Sequence, residues 1–232
     1  VAEIENLLVN HGIREIKFLD DMFCLVPKRV ERICDLILEK HLKFSWSCSN
    51  RVTGISPQLY RKMADAGCWL ISVGIESGNQ KVLDFIKKGI TLEQIRQSVT
   101  WANDAGIKVR GFFQIGHAID TPETIRDTVD FAKSLPLNTA EFCISTPFAG
   151  TEFADLAKLY GDVDASDLSQ YSMMFAAFVP KGMTKEELEG WQSRAHREFF
   201  LRPSKVWDFM MQIRTFDDIR RYWTGLKILV KL

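Results

Sequence analysis

The sequence predicts a parallel α/β fold, either a (β/α) barrel or a doubly wound sheet. Between residues 1 and 160, segments of helical periodicity alternate with short β-rich runs. The order is helix then strand, five times over, and polar residues follow each strand's apolar run directly. Such alternation is the mark of repeated βα units and a parallel sheet. Periodicity alone does not separate the two architectures, because both place one helix between successive parallel strands.

Ile4, Leu7, Leu8 and Val9 make the apolar stripe of a first helix that stops at Gly12. Residues 15–19 read as a strand, ended by Asp20 and Asp21. Pro27 at a helix start precedes Val30, Ile33, Cys34, Ile37 and Leu38 at helical spacing, and residues 44–48 form the second strand. Ser56 and Pro57 open a third helix, which runs through Leu59, Tyr60 and Met63 to a stop at Gly67. Residues 69–75 are an apolar run suited to a strand buried on both faces. Residues 83–105 are helical with a break at Lys88 and Gly89, and Thr91 with Gln94 forms a capping box for the second piece. Residues 107–115 are the fourth strand, 121–135 its helix and 140–144 the fifth strand.

After Tyr160 the pattern changes to a polar loop over residues 161–167 and an apolar stretch over 173–179, whose Met and aromatic residues are expected in the core. Three helical stretches, 184–201, 204–214 and 216–230, close the chain. The expected organisation is a main domain over residues 1–160 and a helical C-terminal extension over 161–232, packed on it because few apolar positions remain for a second core.

Composition bounds the function. With 232 residues, 46% of them hydrophobic, the chain can bury a sizeable core. Lys and Arg number 30, as do Asp and Glu, so nothing electrostatic points to nucleic acid. No run approaches the roughly 18 uncharged apolar residues of a membrane span, and no signal peptide opens the chain. The expected location is the cytoplasm. The five cysteines, Cys24, Cys34, Cys48, Cys68 and Cys143, are scattered without C-x-x-C or C-x-x-x-C-x-x-C spacing. They are expected as reduced, mostly buried thiols, with no metal site in this chain.

In parallel α/β proteins ligands bind beyond the carboxyl ends of the strands. Asp20 and Asp21 follow the first strand, Ser49, Asn50 and Arg51 the second, and Glu76, Ser77 and Gly78 the third. His117 and Asp120 follow the fourth, Ser145 and Thr146 the fifth. Singly, each has a structural alternative: an aspartate as a cap, Arg51 as a loop charge, Glu76 as a paired acid, His117 as a satisfied loop histidine. Together they suggest a binding cleft, since each polar group must otherwise be satisfied or solvated.

Several strings carry a family resemblance: residues 15–23 (EIKFLDDMF), Ala66-Gly67-Cys68 running into Gly74-Ile75-Glu76-Ser77-Gly78, residues 86–91 (IKKGIT), residues 147–151 (PFAGT) and residues 199–203 (FFLRP). In this order the chain resembles the radical S-adenosylmethionine (SAM) enzymes, and within them the cobalamin-binding type that includes the anaerobic oxidative cyclase of chlorophyll synthesis. The resemblance implies an incomplete parallel (β/α)6 TIM-like barrel, here without its first strand. That strand, expected upstream of Val1, would carry the three cysteines of a 4Fe-4S cluster. The implied reaction is reductive cleavage of SAM to a 5′-deoxyadenosyl radical, or cobalamin-assisted methyl transfer or oxidative cyclisation on an unactivated carbon. Cobalamin would be held by a separate N-terminal domain, electrons would come from a reductant such as flavodoxin or ferredoxin, and the substrate would be a small molecule.

The resemblance also implies roles. Asp20 and Asp21 would meet the amino group of SAM, Glu76 and Ser77 its ribose and methionine part, and Lys88 its carboxylate. Phe113, Gln114, Ile115 and Gly116 would pack on adenine, with backbone groups of Ile144 and Ser145 at its edge. Arg51 would serve cofactor or substrate. Where the family shows Gly-Leu-Pro-Gly-Glu-Thr, this sequence has Gly116-His117-Ala118-Ile119-Asp120-Thr121, which alters the turn chemistry and makes His117 a candidate catalytic acid or base on the substrate side. Two rival readings are a metal-dependent hydrolase or aldolase barrel using Asp20, Asp21, Glu76 and His117, and a degenerate, non-catalytic barrel serving as a binding module.

Overall fold

Five strands line up in one sheet in the same order as they occur in the chain: β1 (Glu15–Lys17), β2 (Ser45–Asn50), β3 (Cys68–Glu76), β4 (Lys108–Ile115) and β5 (Thr139–Ile144). A doubly wound sheet reverses its strand order at a switch point. The order here does not reverse, which is the winding of a barrel. The β1/β2 and β2/β3 pairs are parallel, with Ile16 opposite Trp46 and Cys48 opposite Ile71. The computed structural model describes residues 1–164 and 171–231.

The connecting helices form where the spacing predicts them. α1 (Ala2–Asn10) precedes β1, and α2 (Pro27–Glu39) and α3 (Pro57–Asp65) connect the first strands, both with proline in the first turn. The helical stretch before β4 breaks into α4 (Gln80–Phe85) and α5 (Leu92–Asp104), and Thr91 with Gln94 closes the expected capping box. α6 (Pro122–Ser134) joins β4 to β5. β2 ends two residues later than expected. Its last residue, Asn50, is buried because its side chain accepts a hydrogen bond from the Cys24 backbone at 3.0 Å.

The chain divides into two compact units. The first comprises Val1–Ile75, Gly89–Phe112 and Ser134–Thr139. In it Phe18, Phe23 and Trp46 pack with ring centroids 4.5 to 5.6 Å apart, and the Trp46 indole donates to the Ala66 carbonyl at 2.7 Å. Cys24, Cys34, Cys48 and Cys68 are buried thiols, and burial, followed by the nearby Cys24 and Asp35, pushes Cys34 up to about 12.

The second unit comprises Glu76–Lys88, Phe113–Lys133 and Ala140–Leu232. It holds α7 (Glu152–Tyr160), which the periodicity did not single out, capped by Thr151. The polar loop expected over residues 161–167 begins instead as a strand. β6 (Gly161–Val163) pairs antiparallel with β7 (Phe178–Pro180), while residues 165–167 of that expected loop lie outside the described residues. Of the expected core stripe Phe178 is buried as expected, whereas Met173, Met174 and Phe175, each at least half exposed, are corrected to a surface loop. The backbone there bends and does not present one face as a helix would. Three helices follow: α8 (Lys185–Phe200), α9 (Pro203–Gln212) and α10 (Phe216–Lys231).

Helix α8 covers the β5 edge. Gln192 donates to the Phe142 carbonyl at 2.8 Å, the Phe142 N–H donates to His196 Nε2 at 3.3 Å, and the Ile144 N–H to the Met173 carbonyl at 2.9 Å. An open strand edge is thereby satisfied within the fold. The helix is fastened to α6 by Glu198, whose carboxylate accepts from Arg126 at 2.7 Å, Arg194 at 2.8 Å and Lys133 at 2.9 Å. Arg126 and Arg194 also stack on Trp191 at 4.8 and 4.9 Å. Arg202 in the FFLRP string donates to the Lys133 carbonyl at 2.6 Å and lies over the Phe199 ring, a structural role for that string.

These cations, Arg126 first, hold the Glu198 carboxyl at about 2, against an ordinary 4.5. A depressed carboxylate stabilises the fold at pH above its unfolded value, and that contribution is lost as pH falls through 4.5 toward 2. Replacing Glu198 with Gln is expected to cost about 1–2 kcal/mol at pH 7, the lower part of the shift's worth because the side chain is partly exposed. Urea unfolding at several pH values checks this: the gap between variant and wild type closes toward pH 2.

Candidate functional site

Glu76, at the end of β3, adopts a left-handed backbone with φ of +69°. For a residue with a Cβ this costs about 1–2 kcal/mol, the kind of strain that collects at ligand sites. Its Oε1 accepts a 2.6 Å hydrogen bond from Lys88 Nζ, the two side chains being 17% and 20% exposed. Lys88 lies in the break between α4 and α5, beside Lys87, which has φ of +54° and pairs with Glu152 at 2.6 Å. The charged pair stands on the wall of a cavity of about 420 Å³, shared with Gln114, His117, Phe85 and Phe153. That volume suits a small-molecule ligand.

β4 decides by parity what faces this cavity. Gln114 lines it, whereas Phe113 and Ile115 are fully buried and Phe113 stacks on Phe142 at 5.1 Å. Of the residues expected beside adenine, Gln114 thus stands on the cavity wall, while the Phe113 and Ile115 side chains are packed in the core. Beyond the strand, Gly116 has φ of +78°, a left-handed backbone that favours glycine, and a Cβ there would press on a Leu188 methyl at 2.8 Å. Asp120, buried, closes the turn. Its Oδ2 accepts from the His117 N–H at 2.9 Å and its Oδ1 from Thr124 Oγ1 at 2.6 Å. Burial raises Asp120 to about 6, against the hydrogen bonds from Thr124 and from the His117 and Gly116 backbone. The loop, in which Ala118 and Ile119 replace the family's Pro and Gly, is held by Asp120, an acid at the position of the family's Glu.

His117 is buried, with Nδ1 3.1 Å from Ser145 Oγ. Ser145 in turn donates to Gln114 Oε1 at 3.2 Å. Burial, and after it the charge of Lys88, lowers His117 to about 4. The ring is neutral at physiological pH.

Several groups expected at the ligand also bond within the fold. Ser77 Oγ bonds Thr128 Oγ1 at 3.0 Å and accepts from the Asn79 N–H at 3.1 Å, so Ser77 anchors α6 and does not line the cavity. The N–H groups of Ile144 and Ser145 are engaged by the Met173 and Ile115 carbonyls, both at 2.9 Å, so of the backbone groups expected at an adenine edge these two already bond within the fold. Asp20, Asp21 and Arg51 belong to the first unit. Asp20 is paired with Arg29 at 3.2 Å, Asp21 is exposed and Arg51 half-buried. Phe85, Thr151, Glu152 and Phe153 were not singled out as site residues, although Thr151 sits in the PFAGT string and the cap it forms was readable. Among the described residues no group of three or more His, Cys, Asp or Glu side chains could hold a metal ion. The cysteines present do not fit a 4Fe-4S cluster, and the hydrolase reading has no ligand set.

A family model described as the radical SAM superfamily matches residues 1–132, more than half of the chain. The chain belongs to the radical SAM superfamily. This radical SAM chain is 34% identical over 203 residues to an uncharacterized methyltransferase of Pyrococcus horikoshii, covering 88% of the chain and 44% of that relative. It is 28% identical over 224 residues to the anaerobic magnesium-protoporphyrin IX monomethyl ester cyclase of Rubrivivax gelatinosus, covering 95% of the chain and 39% of the relative. It thus spans less than half the length of these curated relatives. Among solved structures it resembles the radical SAM methyltransferase TsrM of Kitasatospora setae, which contains cobalamin and a [4Fe-4S] cluster, with a TM-score of 0.62 at 20% identity over 85% of this chain and 40% of that one. This likeness establishes the fold class as the superfamily's incomplete TIM-like barrel. No helix among the described residues is long and apolar enough to cross a membrane.

Proposed function

We propose that this radical SAM chain is the SAM-binding part of a longer cobalamin-dependent enzyme that methylates or oxidatively cyclises a small molecule at an unactivated carbon. The observation that carries the reading is the Glu76–Lys88 pair on the wall of a cavity of about 420 Å³ that also presents Gln114 and His117. A zwitterionic adenosyl ligand needs a cation for its carboxylate, acceptors for its hydroxyls and an apolar wall, and this cavity has all three. Lys88 binds the carboxylate, Glu76 accepts from hydroxyls, Gln114 orients the adenosyl group, and Gly116 permits close approach behind it. Ser145 holds Gln114 and His117 in place. Asp20 and Asp21 at the amino group, and Arg51 at cofactor or substrate, are carried over on the family resemblance alone.

When bound, SAM and a reduced cluster supply one-electron chemistry at a carbon–sulfur bond; the protein supplies position and exclusion of water. We assign the cluster cysteines and the cobalamin to parts of the protein outside this chain, and the electron to a flavodoxin- or ferredoxin-type donor. Five cysteines without a disulfide fit a reducing cytoplasm.

The test is anaerobic incubation of the complete, cluster-loaded protein with SAM and a reductant. Formation of S-adenosylhomocysteine or 5′-deoxyadenosine is expected. A loaded protein that forms neither defeats the proposal.

A further inference from the structure

The two nitrogens of His117 are in different situations. Nδ1 lies 3.1 Å from Ser145 Oγ, and the Ser145 hydroxyl hydrogen is directed to Gln114 Oε1 at 3.2 Å. A hydroxyl has one hydrogen, so toward the imidazole Ser145 can only accept. Nδ1 therefore carries the ring proton, and Nε2 of the neutral ring carries a lone pair. Nε2 is buried and has no hydrogen-bond partner among the described residues. His117 as a whole is only 6% exposed, yet it lines the cavity with Glu76, Lys88 and Gln114. Buried polar atoms are almost always satisfied, and one without a partner on a side chain that lines a cavity points to a partner supplied by a ligand.

We propose that His117 Nε2 is a fixed-tautomer hydrogen-bond acceptor that receives an O–H or N–H of the adenosyl group of SAM. The inference rests on the reading of this cavity as the SAM site and names a contact within it. The Gln114–Ser145–His117 relay fixes the polarity of that contact. A ligand presenting a donor is accepted, and one presenting a lone pair at the same place is rejected. This replaces the acid-or-base expectation for His117, because a ring titrating near 4 is a poor base at neutral pH and has no proton on Nε2 to give.

The experiment is nitrogen-15 histidine NMR of the complete protein, with His117→Phe identifying the resonance, alongside calorimetry with S-adenosylhomocysteine as the probe. Nε2 is expected to resonate as an unprotonated nitrogen without the probe and to move to the hydrogen-bonded range with it. His117→Phe should weaken the probe about tenfold, the usual worth of one buried hydrogen bond, and Ser145→Ala should release the tautomer and weaken it less. A proton on Nε2 in the wild-type protein overturns the proposal without any variant. If Lys88→Ala weakens the probe while His117→Phe does not, the inference fails and the cavity reading stands. If neither variant changes binding and no His117 resonance moves, the cavity reading falls and takes the inference with it.

Discussion

Replacing Lys88 with Ala in the complete protein is expected to weaken S-adenosylhomocysteine by about 30- to 100-fold, roughly 2–3 kcal/mol, the range for removing one member of a partly buried, hydrogen-bonded ion pair. Lys88 Nζ is 2.6 Å from Glu76 Oε1, and both side chains are four-fifths buried. Without the ammonium, Glu76 faces the cavity with an uncompensated charge, which repels an incoming carboxylate and so adds to the loss of attraction. The reverse change, Glu76→Gln, leaves the cation in place and removes one acceptor, so a smaller loss, under about tenfold, is expected. Titration calorimetry with methylthioadenosine separates binding from folding, because this ligand keeps the adenosyl group and lacks the carboxylate. Lys88→Ala should leave its affinity nearly unchanged, and equal losses for both ligands would remove Lys88 from the carboxylate role.

Gly78→Ala should unfold the protein more readily than any conservative change on its surface, by about 3 kcal/mol or more. A Cβ at Gly78 would stand 2.5 Å from Phe131 Cβ, 2.7 Å from Thr128 Cα and 2.8 Å from the Asp127 carbonyl oxygen. Two of these three atoms are backbone of α6, which cannot swing aside as a side-chain tip can. The Gly78 N–H also donates to Thr128 Oγ1 at 3.0 Å, so moving the loop away from α6 breaks that bond and the Ser77–Thr128 contact with it. The urea midpoint of the complete protein measures the effect; a shift no larger than that of an exposed Ala substitution would show that the loop yields. Since Gly78 follows Glu76 by two residues, a folded remnant should also bind S-adenosylhomocysteine more weakly.

Local signals placed most of the elements. Thr91 with Gln94 and Ser56 with Pro57 start their helices as their chemistry requires, and Gly67 stops one with φ of +93°. Where the structure departs from local signals, the determinant lies elsewhere in the chain. Residues 161–163 are too polar to read as a strand and become one only by pairing with residues 178–180. Asn50, at the end of β2, is tied in by its side-chain Oδ1, which accepts from the distant Cys24 backbone N–H. The Ser77 hydroxyl, next to Glu76, bonds a threonine fifty-one residues away, a contact that no local spacing shows.

By itself the sequence determined the alternation of helix and strand, the polar strand ends and, through its motifs, the superfamily. These depend on residues within a turn or two of one another, where propensity, capping and period act. Only the tertiary structure decided that the strands keep chain order, that Gln114 and not Phe113 meets the cavity, and that one nitrogen of His117 is left open. A strand's period of two names two faces without saying which is inside, and a hydrogen bond between distant residues leaves no trace in the spacing of either. Packing assigns both, because only in the folded chain do Gln114, Ser145 and His117 compete for the same hydrogens.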